Sequence, residues 1–221
     1  MLERLLKLIF PPKCIFCNKV LDENDDIYIC KECYLIIEFK KDKRLEPAMG
    51  NSYFDEIVCA CEYRGIVRDA LKRFKFYNKP AYFRAFTMLL LQRIREVADL
   101  GEIDIIVSVP LHPIRKRRRG YNQSYLISKA LSKALGIKEQ SRSFVRVRNT
   151  RSQSLLKRHE RLTNMEGAFK VKHILSMKDK TILLVDDILT TGTTLNECSK
   201  VLKQAGAKKI IAAVIASGRR F

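Results

Sequence analysis

Residues 182–194 restrict the fold most tightly, because they join a buried strand, two acids and a helix start. The stretch reads ILLVDDILTTGTT. Its apolar run predicts a strand that ends at Asp186 and Asp187, whose carboxylates can accept hydrogen bonds from adjacent hydroxyl groups. The threonines around Gly192 predict a loop opening a helix, where free N–H groups and the helix dipole favour a phosphate. The segment thus predicts a sugar-phosphate site, and the alternative is an ordinary strand end with helix-capping threonines.

Other nucleotide-binding motifs are missing from the chain. No Gly-Lys-Ser/Thr follows the loop, so it is not a Walker A motif, and no G-x-G-x-x-G fingerprint occurs. The candidate sugar-phosphate residues are Asp186, Asp187, Thr190, Thr191, Gly192, Thr193 and Thr194.

Short apolar runs alternate with helical patterns through the second half of the chain. Strands are predicted at 103–109, 144–147, 181–185 and 210–216, and helices at 125–135 and after 194. Upstream, a strand is predicted at 56–63, followed by two amphipathic helices. This alternation predicts an α/β fold, with a parallel sheet flanked by helices and ligands bound beyond the carboxyl ends of the strands.

Four of the seven cysteines form two C-x-x-C pairs near the N-terminus. They are Cys14, Cys17, Cys30 and Cys33. Such pairs deliver four thiolates to a tetrahedral zinc ion and leave no open coordination position, so the pattern favours a structural zinc site over disulfides. Cys59, Cys61 and Cys198 lie in apolar patterns and are predicted to be core residues.

The chain is strongly basic, with 43 Lys and Arg against 24 Asp and Glu. The cations concentrate at 115–119 and 142–161, and together they carry more positive charge than one pyrophosphate needs. The expected partner of the remaining cations is a phosphodiester backbone. The alternative is that these cations form an ordinary solvent-exposed face. No duplex-reading motif is recognised, which favours single strands. Candidate aromatic residues for base stacking are Phe74, Phe76, Tyr77, Tyr121 and Phe144.

Several segments together resemble a known family. The stretch VDDILTTGTT resembles the phosphoribosyl-pyrophosphate (PRPP) signature of type I phosphoribosyltransferases. The segments VPLHPIRKRRRGYNQS at 109–124 and RNTRSQSLLKRHERLTNMEGAF at 148–169, with the four cysteines, resemble the ComF family. These motifs cover most of the chain, in the family's order.

The resemblance implies a type I phosphoribosyltransferase-like fold with specific ligand contacts. The Asp pair would hold the ribose hydroxyls, residues 190–194 the 5′-phosphate, and residues 109–112 the pyrophosphate, with Mg2+ bridging pyrophosphate and ribose. Residues 148–161 would match a loop that closes over the sugar. The candidate pyrophosphate or nucleic-acid contacts are His112, Arg115, Lys116, Arg117, Arg118, Arg119, Arg148, Arg151 and Arg158. A packed or solvent-facing role is the alternative for His112.

The implied function is binding and handling of single-stranded DNA during natural transformation, with a PRPP site. An active Mg2+-dependent transferase with an unidentified nitrogen nucleophile is the alternative, although no acceptor site or glutaminase domain is recognised. Expected partners are single-stranded DNA, PRPP or a related sugar phosphate, and a DNA-uptake channel or helicase. No membrane span or secretory signal is recognised, so a cytoplasmic location is expected.

Three regions are predicted along the chain. Residues 1–40 would form an N-terminal helix and the zinc module, residues 41–102 a strand-helix-helix hood or connector, and residues 103–221 the phosphoribosyltransferase-like core. The charged stretch beginning at Lys40 is interpreted as a linker.

Overall fold

The computed structural model describes residues 11–22, 28–41, 52–150 and 165–218. The helix predicted before residue 11 and most of the basic segment at 148–161 lie outside these ranges. Within them, no helix has the length and apolarity needed to cross a bilayer.

Most of the longer helices and strands lie where the apolar periodicity predicts them. The helices are α1 (Lys31–Leu35), α2 (Gly65–Phe76), α3 (Phe83–Val97), α4 (Pro113–Arg119), α5 (Gln123–Leu135) and α6 (Thr193–Gln204). The strands are β1 (Glu56–Glu62), β2 (Ile105–Ser108), β3 (Lys138–Glu139), β4 (Phe144–Arg146), β5 (Phe169–Val171), β6 (Thr181–Leu189) and β7 (Lys209–Ser217). Of these elements, α1, α4, β3 and β5 were not predicted.

Five strands form one parallel sheet in the order β1-β7-β6-β2-β3, and β4 pairs antiparallel with β5 in a separate ribbon. β1 comes from the predicted connector and pairs with β7 along its length. The described part of that connector is therefore continuous with the sheet of the core, while the division into three domains stays a prediction.

Both faces of the central sheet are covered. Alternate residues of β6, such as Leu183 and Val185, pack with α2, α3, α5 and the cysteine module. The intervening residues Ile182 and Leu184 pack with α6 and with the β4-β5 ribbon. Since a strand alternates its side chains between two faces, this pattern makes β6 a central, fully buried strand. The predicted parallel α/β fold is confirmed.

Two neighbouring strands define where a ligand can bind. The chain leaves β2 toward β3 and leaves β6 toward β7, in opposite directions across the sheet. A crevice forms beyond the carboxyl ends of the strands where strand order reverses in this way. The segments that follow β2 and β6 therefore meet at the expected site.

Lys40 is part of the folded module, in contrast to the predicted linker. Its backbone N–H donates to the carbonyl of Ala60 at 3.0 Å, and its Nζ lies 2.8 Å from a Glu62 carboxylate oxygen. Its side chain is 3% exposed. The segment around Lys40 instead pairs along the edge of β1, joining the cysteine module to the sheet.

Candidate functional site

A cavity of about 430 Å³ opens at the carboxyl edge, between the segments that follow β2 and β6. It is lined by Tyr63, Leu71, Lys72, Lys75, Phe76, Val109, Pro110, Leu111, Arg115, Arg119, Asn122, Gln123, Ser124, Arg146, Asp186, Asp187, Ile188, Thr190 and Thr194. Segments from five separate stretches of the chain therefore contribute to one site.

Asp186 and Asp187 lie inside β6, which continues to Leu189, two residues beyond the predicted strand end at the acids. β7 is long enough to pair with β6 as far as Leu189, which keeps the strand extended past the acids. Asp186 Oδ1 accepts a hydrogen bond from Ser124 Oγ at 2.9 Å, whereas Asp187 Oδ2 lies 2.9 Å from Lys75 Nζ. Both side chains line the cavity.

The two acids form an electrostatically coupled pair. Burial, followed by the charge of Asp187, raises the pKa of the Asp186 carboxyl above its ordinary value. Lys75 and the hydrogen bonds from the Asp187 amide and Ser124 act in the opposite direction without cancelling this increase. A cation bound beside the pair would favour ionised Asp186.

The threonine loop leads directly into α6. Gly192 precedes the helix with φ +81°, a conformation that favours glycine. Thr191 Oγ1 lies 3.0 Å from Thr193 Oγ1, and Thr193 is buried. Only Thr190 and Thr194 among the five candidate loop residues line the cavity. The start of α6 adds free backbone N–H groups and the positive end of its dipole at this place.

The five consecutive cations at 115–119 are divided by a helix that the sequence analysis did not predict. In α4, Arg115 and Arg119 are four residues apart and therefore share one face; both are partly buried and line the cavity. Lys116, Arg117 and Arg118 are exposed outside it. The single predicted cluster is thus two groups, one inside the cavity and one on the surface beside it.

His112 occupies the cap position before α4. Its Nδ1 accepts a hydrogen bond from the Ile114 amide at 3.4 Å, and the side chain is not part of the cavity lining. Arg148 is exposed and donates to the backbone carbonyl of Glu166. Arg151 and Arg158 lie outside the described residues.

Arg146 is a cavity residue that the site prediction omitted. It is 8% exposed, it donates to Thr150 Oγ1, and its guanidinium lies 5.5 Å from the Phe169 ring centroid. Burial lowers its pKa to about 10. The sequence does contain a signal for the burial of Arg146, because period-two alternation places it on the same face of β4 as the buried Phe144.

Three arginines in the cavity have no acidic partner in the described part of the chain. Arg115 donates to the Thr150 carbonyl, Arg119 to Gln123 Oε1 at 2.6 Å, and Arg146 to Thr150 and Met165. None of the three forms an ion pair with a described carboxylate. Because a cation removed from water is costly unless it is paired, the buried Arg146 and the partly buried Arg115 and Arg119 would favour an anion in the cavity.

The last turn of α2 also reaches the cavity, which the sequence analysis did not predict. Lys72, Lys75 and Phe76 line one wall. Helical periodicity marked only the buried side of α2, and these residues lie away from it. The sequence carries no direct signal for their position, since α2 meets β6 only through the tertiary fold.

The four predicted metal ligands lie together. Their sulfur atoms are all within 4.8 Å of one another, and Cys17 Sγ lies 3.6 Å from Cys30 Sγ. Four sulfurs at about 2.3 Å around a tetrahedral ion are separated by about 3.8 Å, so the cluster fits such an ion. All seven cysteines lie in the described residues and are free, and Cys59, Cys61 and Cys198 are buried as predicted.

The backbone around the cluster favours thiolate character at one ligand. Burial opposes ionisation of Cys14, yet hydrogen bonds from the backbone N–H groups of Cys17, Cys30 and Phe16 bring its pKa down to about 7. A thiolate is the form that binds metal.

The cysteine cluster is attached to the helix that forms the cavity wall. Arg73 Nη2 in α2 donates to the carbonyls of Ile15 and Phe16, at 2.7 and 3.1 Å. These carbonyls belong to the turn between Cys14 and Cys17. The turn between Cys14 and Cys17 therefore holds α2 two residues before Lys75.

Comparisons with known proteins agree with this architecture. Residues 75–220 match the family described as phosphoribosyl transferase domain. Competence protein F of Haemophilus influenzae is 34% identical over 163 residues, covering 71% of this chain and 70% of that protein. The DNA utilization protein YhgH of Escherichia coli K12 is 31% identical over 160 residues, with the same coverage.

A third relative extends the similarity across most of the chain. Competence protein ComFC of Streptococcus pneumoniae is 27% identical over 229 residues, covering 90% of this chain and 96% of that protein. Together with the family match over residues 75–220, these similarities show that the chain belongs to the ComF family of proteins with a phosphoribosyltransferase-like domain.

Proposed function

We propose that this protein binds and handles single-stranded DNA during natural transformation and that its cavity binds PRPP or a related sugar phosphate. The relatives named for competence and DNA utilization support the biological role. The observation that carries the ligand is one cavity that combines two carboxylates on β6 with three arginines lacking described acidic partners. Hydroxyl-binding and phosphate-binding groups are then side by side, as a phosphorylated pentose requires.

The residues fit a binding mode with divided roles. The acid pair would accept hydrogen bonds from the ribose hydroxyls, and Thr190 and Thr194 at the start of α6 would hold the 5′-phosphate. Arg115, Arg119 and Arg146 would neutralise the pyrophosphate. Lys75 would keep Asp187 oriented, since it already contacts both oxygens of that carboxylate, at 3.1 and 2.9 Å.

The donor set also fits two metal ions of different character. Carboxylate oxygens are hard ligands of the kind that Mg2+ accepts together with phosphate oxygens, and Mg2+ would neutralise ligand charge beside Asp186 and Asp187. The four thiols of the cysteine cluster favour Zn2+, which would stabilise the module without an open coordination position.

Binding of PRPP is tested with an acid-pair variant. Asp186→Asn with Asp187→Asn should weaken PRPP binding in Mg2+ at least tenfold by calorimetry, because neutral amides bind neither Mg2+ nor hydroxyl donors as strongly. Asp69→Asn removes a half-exposed acid on α2 and should leave the affinity unchanged. Equal affinity in the acid-pair variant and the wild type, or no binding by the wild type, would refute the site.

Transferase activity is a second candidate, favoured by the family match over residues 75–220. In that reaction a nitrogen nucleophile would displace pyrophosphate from the ribose, and the arginines would stabilise the departing charge. Pyrophosphate release from PRPP, measured with a panel of nucleobases, separates the candidates. Turnover with one base establishes an enzyme, and no turnover with any base leaves a binding role.

A further inference from the structure

One of the two aromatic residues that line the cavity is strongly exposed to solvent. Phe76 is 61% exposed, the most exposed phenylalanine of the described residues, and it lines the cavity. Phe74, two residues earlier on the opposite side of α2, is fully buried against Phe86 and Tyr121. The core contacts of this turn are therefore made by Phe74, and Phe76 adds an exposed aromatic ring beside Lys72 and Lys75 on the same cavity wall.

The turn that carries Phe76 is held in place by neighbouring segments. The Phe74 carbonyl accepts hydrogen bonds from the Tyr121 hydroxyl and from Gln123 Nε2, the latter at 3.3 Å. The Arg119 guanidinium lies 5.6 Å from the Phe76 ring centroid, within the range of a cation–π contact. Aromatic ring and cation thus form one preorganised surface.

The candidate stacking residues of the sequence analysis are separated by burial. Phe74, Phe144 and Tyr121 are in the core, whereas Phe76 and Tyr77 are exposed. Tyr77 is 68% exposed but does not line the cavity. Phe76 is therefore the candidate at which a base could stack while its sugar phosphate occupies the cavity.

We infer that Phe76, with Arg119, forms a stacking site for a nucleobase, and that the base belongs to a DNA single strand. This inference rests on the proposed function and specifies its DNA contact. Unpaired bases stack on aromatic rings in single-strand binding proteins, and arginine adds to that stacking. Lys116, Arg117 and Arg118 are exposed on the same short helix as Arg119, so they can contact the phosphates of neighbouring nucleotides. A free nucleotide has no neighbouring phosphates with which these three cations could interact.

The test compares an oligonucleotide with an abasic oligonucleotide of equal length and charge. Wild type should bind the base-containing strand about fivefold tighter or more, which corresponds to about 1 kcal/mol for one stacked base. Phe76→Ala should lose this preference and Phe76→Trp should keep it. Tyr77→Ala, a matched exposed aromatic on the adjacent residue, should keep it too. Unchanged thermal unfolding shows that each variant is folded.

Each other outcome overturns a defined part of the inference. If wild type binds both oligonucleotides equally, or if Phe76→Ala retains the preference, the stacking site is wrong while DNA binding stands. If Phe76→Ala weakens binding of a mononucleotide but not of the oligonucleotide, the strand assignment is wrong. If wild type binds no oligonucleotide, the proposed DNA function fails and the inference fails with it.

Discussion

At the residue scale, adjacent aspartates of one strand have different environments. Asp187 is paired with Lys75, whereas Asp186 contacts Ser124 and the Asp187 amide and has no described cation within ion-pair distance. The difference comes from the partners that two separate helices supply, Lys75 on α2 for Asp187 and Ser124 on α5 for Asp186. The acid pair is therefore one neutralised carboxylate beside one that is costly to ionise.

This difference predicts a pH effect on stability. Because burial and Asp187 raise the pKa of folded Asp186, the folded state binds its proton more tightly than the unfolded state does. Stability should fall as pH rises above the ordinary aspartate pKa of about 3.9. Asp186→Asn removes the free-energy cost of ionising this buried carboxyl. The variant should therefore be more stable than wild type near pH 7, by on the order of 1 kcal/mol. Urea unfolding at a series of pH values measures this difference in the free energy of unfolding.

The sign of the effect distinguishes Asp186 from a structural ion pair. The gain in Asp186→Asn should vanish toward pH 3, where the aspartate is protonated in both states. Asp104→Asn is the matched control, because a hydrogen bond from the Thr181 amide lowers the pKa of Asp104, and this variant should lose stability near pH 7. A pH-independent change in Asp186→Asn would contradict the assignment.

At the scale of elements, the cysteine module supports the cavity through α2. Arg73 donates to two carbonyls of the turn between Cys14 and Cys17, and the same helix carries Lys72, Lys75 and Phe76 to the cavity. Too few residues surround the cluster to form a core alone, so a bound metal would supply the stability of the turn. Ordering of the turn and of the cavity wall is therefore linked.

Loss of one thiol should destabilise both the turn between Cys14 and Cys17 and the cavity wall formed by α2. Cys14→Ser is expected to lose the metal, measured by elemental analysis, and to lower the melting temperature by several degrees, because about 1 kcal/mol shifts it by about 2–8 °C. Oligonucleotide binding should weaken as well. Cys198→Ala alters a buried cysteine outside the cluster and should retain the metal; full metal content in Cys14→Ser would exclude the four-cysteine site.

At the scale of the whole molecule, the excess of cations would decide how strongly the proposed DNA binding depends on salt. The formal net charge is +19, and the cavity uses only part of it. Cations that neutralise phosphates release counterions, so affinity for single strands should fall with salt, with a logarithmic slope of about −0.7 per phosphate contact.

The exposed side of α4 should account for part of this slope. Replacing Lys116, Arg117 and Arg118 by Gln should reduce its magnitude by about 2, since up to three phosphate contacts are lost. Replacing three exposed lysines outside the cavity lining, Lys133, Lys138 and Lys170, controls for net charge alone. Fluorescence anisotropy across a salt series measures both variants, and equal slopes would assign the effect to overall charge.

The sequence alone determined the features that depend on near neighbours in the chain. Apolar periodicity predicted five of the seven described strands and four of the six described helices, and the C-x-x-C spacing predicted the cysteine cluster. Residues 182–194 predicted a strand leading to two acids and then a helix start. Each of these signals is local, because it arises from backbone geometry over a few residues. The sequence did not predict the short α4, because its run of cations shows no periodic spacing of apolar residues.

Only the tertiary structure decided which distant residues complete the site. Lys75 meets Asp187 across 112 positions of sequence, and Arg146 and Phe76 reach the same cavity from the β4-β5 ribbon and from α2. Periodicity reports whether a side chain is buried, but it carries no information on which strands become neighbours. The order β1-β7-β6-β2-β3 determines that, since it brings the ends of β2 and β6 together and places α2 beside them.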